Sequence, residues 1–136
     1  MKLAIAALGL AAALALPQPA QAQADVLTAK KLVCTPDKVT RCKSAGVECE
    51  SKDATARDKT QPLIFDFESK KGSMRRDGNE RPVGDISEDK VEGDTRTLVL
   101  GGGGQTPIAF RIKKDGKTEG TRTDGTLKME ITCTAG

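Results

Sequence analysis

The sequence predicts an all-β domain: a small antiparallel up-and-down meander of about eight strands, closing into a barrel or sandwich and stapled by disulfides. Three observations carry that expectation. Large apolar residues alternate with polar ones in several short segments, the clearest being Leu63, Phe65 and Phe67 against Asp66 and Glu68. That period of two marks a half-buried strand. Glycine-containing turn signals separate the segments, among them Asp115-Gly116 and Asp124-Gly125, and Asp-Gly is a favoured two-residue hairpin turn. All four cysteines follow an apolar leader, so they belong to an exported part of the chain, where disulfides form and persist.

The leader comes first. Met1-Lys2 is a minimal positive start, Leu3 to Leu16 is uninterruptedly apolar, and Pro17 breaks the run. Ala20-Gln21-Ala22 and Ala22-Gln23-Ala24 each fit the small-x-small cleavage rule. Residues 1–24 therefore read as a secretory signal peptide cut after Ala22 or Ala24, too short for a membrane span. The first cysteine, Cys34, lies well past the apolar run, which speaks against a lipoprotein anchor. Residues 25–136 then form a single domain. Losing the leader removes only Lys2 among charged residues, so the net charge of +3 falls by one. A chain so close to neutrality lacks the concentrated basic face of a nucleic-acid binder. Leu, Ile, Val and Phe make up just under a fifth of the domain, a thin core that needs cross-links.

Along the domain, residues 26–34 read as a first strand ending at Cys34 and stopped by Pro36. Residues 38–50 read as a small hairpin turning at Ala45-Gly46, with Cys42 opposite Cys49. Residues 51–61 are polar without an apolar stripe and read as a loop with room for one helical turn. The strand around Phe65 follows, and Lys70-Lys71-Gly72 turns the chain into Ser73–Arg76. Asp77-Gly78-Asn79 turns it again into a weak strand over 83–87. Thr95–Leu100 is a strand closed by Gly101–Gly104, and Ile108, Phe110 and Ile112 mark the next. Lys117–Thr123 is a polar strand. The last strand places Leu127, Met129, Ile131 and Cys133 inward, with Lys128, Glu130 and Thr132 outward.

Four cysteines allow three connectivities. Closing a meander brings the first strand beside the last and removes the open edges. That favours Cys34–Cys133 with Cys42–Cys49 over Cys34–Cys42 with Cys49–Cys133. Zinc is disfavoured, because seven and six residues separate Cys34, Cys42 and Cys49, and there is no histidine.

The absence of histidine excludes Ser-His-Asp and Cys-His catalysis. Oxidised cysteines leave no thiol nucleophile, and without Trp or Tyr nothing obvious stacks on a sugar ring. Gly101–Gly104 lacks the Gly-Lys-Ser/Thr of a phosphate loop. Asp85, Glu88 and Asp89 lack the ordered spacing of a calcium loop. Lys70, Lys71, Arg75, Arg76 and Arg81 form a local basic cluster, a candidate anion-binding patch interleaved with Glu68, Asp77 and Glu80.

Two resemblances follow. Cys34-Thr35-Pro36 with Val39, the following Cys42 and Cys49, Phe65-Asp66-Phe67 and the terminal Cys133 resemble small secreted cysteine-containing proteins of alphaproteobacteria. That likeness implies export and a stapled β domain, and no particular activity. A leader, an eight-strand meander and an end-to-end disulfide are similar in architecture to the periplasmic C-type lysozyme inhibitors, whose Ser-Gly-x-x-Tyr signature is absent from this tyrosine-free chain. The expectation is a periplasmic or secreted, non-enzymatic β-barrel with a binding or envelope-interaction role and no cofactor. A lysozyme-inhibitor-like protein and a carboxylate-dependent hydrolase are the alternatives. A filled interior under an unbroken polar exterior favours a protein-interaction or structural role, and a cleft with two facing carboxylates favours the enzyme; the most useful single observation is whether the interior is packed or hollow.

Overall fold

A computed structural model describes residues 25–136; the signal peptide expected over residues 1–24 lies outside the described residues. The strands in order are β1 (Lys31–Arg41), β2 (Glu50–Asp53), β3 (Leu63–Asp66), β4 (Lys71–Arg76), β5 (Asn79–Glu92), β6 (Thr95–Gly102), β7 (Gln105–Lys113), β8 (Lys117–Arg122) and β9 (Leu127–Ala135), with one helical turn, α1 (Ala56–Lys59), between β2 and β3. Strands β3 to β9 pair in sequence, each antiparallel to the next, and β9 pairs back onto β1. The sheet therefore closes as an eight-stranded barrel, and β2 is an additional strand laid against β1.

β1 organises the closure. One edge pairs with β9 along most of its length, from Leu32 opposite Ala135 to Arg41 opposite Leu127. The other edge is shared: Lys31–Cys34 pair with β3, and Lys38–Arg41 pair with β2. The expected first strand over 26–34 is thus corrected, because Pro36 does not stop it. Lys31 O accepts the N–H of Gly136 on the β9 side, and Lys30 O accepts that of Phe67 on the β3 side. Strand alternation then turns the nitrogen of Pro36 toward the β3 edge, at the interval between Cys34 and Lys38 where no strand pairs. The missing donor costs no ladder bond there, and a bulge between Pro36 and Lys38 follows it.

Residues 25–29 form a capped turn instead of a strand. Asp25 O accepts the N–H of Thr28 and Ala29, and Asp25 Oδ1 accepts that of Leu27 at 2.8 Å. The turn sets Val26 and Leu27 into the core at one barrel end.

The weak strand expected over 83–87 is the middle of the 14-residue β5. Its period is broken because the register shifts near Val83 and again near Ser87, and bulges of this kind disguise alternation while tightening sheet curvature. The hairpin after Arg41 forms as expected, with Ser44 bridged to Val47 and Thr40 opposite Ser51. Both disulfides form in the favoured pairing, Cys34–Cys133 and Cys42–Cys49. Cys34 and Cys133 face each other directly across β1 and β9 with Cα atoms 4.0 Å apart, and both are buried.

Candidate functional site

The barrel is filled at one end and hollow at the other. The filled end lies where the β3–β4, β5–β6 and β7–β8 turns gather. All three phenylalanines pack from there inward: Phe65 meets Phe110 edge-on at 5.0 Å between ring centroids and Phe67 at 6.4 Å. Arg96 projects into this cluster, only 5 % exposed. Its Nε and Nη2 donate to the two carboxylate oxygens of Asp89 at 2.8 and 3.0 Å. Its Nη1 donates to the carbonyls of Val26 and Ala29 at 3.0 and 2.8 Å, and its guanidinium lies 3.5 Å from the centroid of the Phe67 ring. A forked ion pair, two carbonyl bonds and a cation–π contact thus hold the N-terminal turn as a floor.

Toward the opposite end the interior opens into a cavity of about 640 Å³. Phe110, Cys34 and Ile131 form its base and are buried; Met74, Val83, Ile108 and Met129 form half-buried walls above them. Gln61, Gln105, Thr106 and Arg122 ring the mouth. Along the β7–β8 ladder the inward pairs run Ile108–Arg122, Phe110–Gly120 and Ile112–Thr118. Gly120 is required here: a Cβ on it would sit 2.5 Å from Phe110 Cε1, so the ring takes the space that a side chain would fill. The cavity remains because Phe65 and Phe67 pack toward the other end and Phe110, against Phe65, goes no further than its base.

A second, smaller depression adjoins the cavity, sharing Pro36, Gln61, Met74 and Met129 with it. It lies where β1 passes from β3 to β2, beside α1, and Arg41, Arg76, Glu50, Lys52, Asp53 and Asp58 line it. α1 is set by a capping box: Asp58 N–H donates to Thr55 Oγ1, and Thr55 N–H to Asp58 Oδ2 at 2.9 Å. That backbone bond from Thr55, with the threonine hydroxyl next, holds the Asp58 carboxyl below its usual value. Asp124, at the β8–β9 turn, is lowered likewise by the Thr126 hydroxyl and then by the Thr126 backbone N–H. Asp58 in this depression and Asp124 at the β8–β9 turn are thus each engaged by local donors.

The five residues of the expected basic patch are not drawn to one place. Lys70 sits at the β3–β4 turn with φ 59°, and Lys71 pairs with Asp85 at 2.7 Å. Arg75 pairs with Glu80 at 3.8 Å on the outer face. Arg76 lies at the mouth end of β4, roughly 17 Å from Lys71 at strand rise, and Arg81 is opposite Met74. Of the acidic residues weighed as metal ligands, Asp85 and Asp89 are taken by Lys71 and Arg96. Among the described residues no three His, Cys, Asp or Glu side chains converge as a metal site. Asp66 points outward, accepting the backbone N–H of Glu68 and Ser69.

Neither Arg96 nor the cavity was foreseen from the residues. Arg96 had a signal, since it shares the inward register of Leu98 and Leu100 in β6. The chain matches no family model, no curated protein and no solved structure.

Proposed function

We propose that this is an exported, non-enzymatic binding protein whose barrel takes up a small, largely apolar molecule through its open end. The observation that carries the reading is the half-hollow interior. Its volume of about 640 Å³ falls in the range of small-molecule pockets, and its few polar groups stand at the mouth, as they do in such pockets. Among the described residues no carboxylate lines the cavity, which speaks against hydrolysis by a carboxylate pair there. Two disulfides accord with an oxidising compartment outside the cytoplasm.

The test is uptake of a neutral apolar fluorophore, N-phenyl-1-naphthylamine, by the oxidised protein. Fluorescence should rise saturably with the native chain. It should fail to rise with Ile108→Trp, which fills the cavity beneath the mouth. Absence of saturable uptake by the native protein sinks the proposal. The lysozyme-inhibitor reading rests on architecture alone, and a lysozyme inhibition assay decides it separately.

A further inference from the structure

We propose that the cavity is built for a single-chain anionic amphiphile whose carboxylate is held by Arg122; this rests on the uptake reading above and adds the chemistry of the ligand's head.

Among the described residues, Arg122 is the one charged residue lining the cavity. It is half-buried and stands directly opposite Ile108 on the inward side of the β7–β8 ladder, two residues above the Phe110–Gly120 pair that forms the base. Among the described residues its guanidinium meets one polar partner: Nη1 donates to Thr126 Oγ1 at 3.4 Å, a long bond. The nearest acid in sequence, Asp124, feels the Arg122 charge, which helps to lower its carboxyl after the Thr126 bonds, but makes no hydrogen-bonded ion pair with it. Its Oδ1 accepts the Thr126 N–H at 2.9 Å and the Thr126 hydroxyl at 2.6 Å. Arg96, at the other end of the same barrel, shows what a satisfied inward arginine looks like, with four hydrogen bonds and a carboxylate fork. Most of the five N–H donors of Arg122 are left for a ligand, in the planar fork that suits a carboxylate.

The rest of the mouth agrees. Gln61, Gln105 and Thr106 stand at the rim, and their side chains make no hydrogen bond to protein among the described residues. Below them the lining is apolar down to the base. A head that is anionic and a body that is aliphatic match those two zones in order. A cationic amphiphile would bring its charge to Arg122 and be repelled. A neutral one would fill the cavity but leave the guanidinium unused.

The experiment is calorimetric titration of the oxidised chain with monomeric octanoate, decanoate, decanol and decyltrimethylammonium. Decanoate should bind more tightly than octanoate by about fourfold per added methylene. It should bind at least about tenfold more tightly than decanol, as expected for a charge-assisted bond. Decyltrimethylammonium should be the weakest of the ten-carbon probes. Arg122→Gln should abolish the preference for decanoate over decanol, read as the ratio of the two affinities. Equal binding of decanoate and decanol, unaffected by Arg122→Gln, would overturn the headgroup assignment and leave the apolar-uptake reading standing. No binding of either would overturn both. Binding to anionic vesicles without binding of monomeric decanoate would also overturn it, pointing to a membrane surface instead.

Discussion

Arg96 shows how far one side chain can set the end of a barrel. Taking a guanidinium out of water costs several kcal/mol unless its partners are well placed. Here they are: Asp89 and the Val26 and Ala29 carbonyls meet it within 3.0 Å. Arg96→Ala should lower stability by about 3–5 kcal/mol, less the relief that the half-buried Asp89 gains by returning to water. Hydrogen exchange should show the amides of Leu27, Thr28 and Ala29 losing protection first; intact protection there would refute the anchoring role. Gly120 poses the opposite problem, of space. Gly120→Ala sets a methyl 2.5 Å from the Phe110 ring and should cost about 1–3 kcal/mol by overpacking, with the ring tilting into the cavity and fluorophore uptake falling. Denaturant titration and the uptake assay together check it. Asp58, Asp66 and Asp124 are held below the ordinary carboxyl value of 3.8 by turn and cap hydrogen bonds, for Asp66 chiefly from Ser69. A depressed carboxyl stabilises the fold fully above its unfolded value and less as pH falls through the folded one. Acid titration should therefore show stability declining below about pH 4, and Asp66→Asn should flatten part of that decline.

Among the elements, those with a clean period of two are legible in the sequence alone. β9 alternates Leu127, Met129, Ile131 and Cys133 without interruption and lies as expected, because one face meets the core and nothing perturbs its register. β5 was not legible beyond its centre, since two bulges reset which face each residue takes and a bulge leaves no residue-type mark. β1 was misplaced for a different reason. A proline is a strand breaker only where its nitrogen must donate, and which way Pro36 N points depends on a partner arrangement that local sequence does not contain. The cavity was the least legible feature. Leu, Ile, Val and Phe on inward positions look alike whether they touch across the barrel or stop short, and the deciding quantity is the summed volume of side chains from eight strands. The clue that existed was the clustering of two of the three phenylalanines in β3 and the segment just after it.

At the scale of the whole molecule, Cys34–Cys133 fastens the two strands that meet to close the barrel, across a sequence separation of 99. Cys133→Ser should lower stability by roughly 2–5 kcal/mol, and Cys42→Ser by less, because Cys42–Cys49 spans a separation of only 7. Chemical denaturation of the two variants under non-reducing conditions checks the order; a larger loss from Cys42→Ser would refute it. The sharing of β1 among three neighbours also has a temporal side. β1 leaves the synthetic machinery first among the strands, yet its longest edge belongs to the last one, β9. Until residue 135 has emerged, that edge is an unpaired template, open to any other extended chain. Contacts so distant along the chain are also slow to form. A nascent molecule must therefore wait for β9 before it can cover β1, and truncation within β9 should increase aggregation, read by sedimentation of the expressed chain.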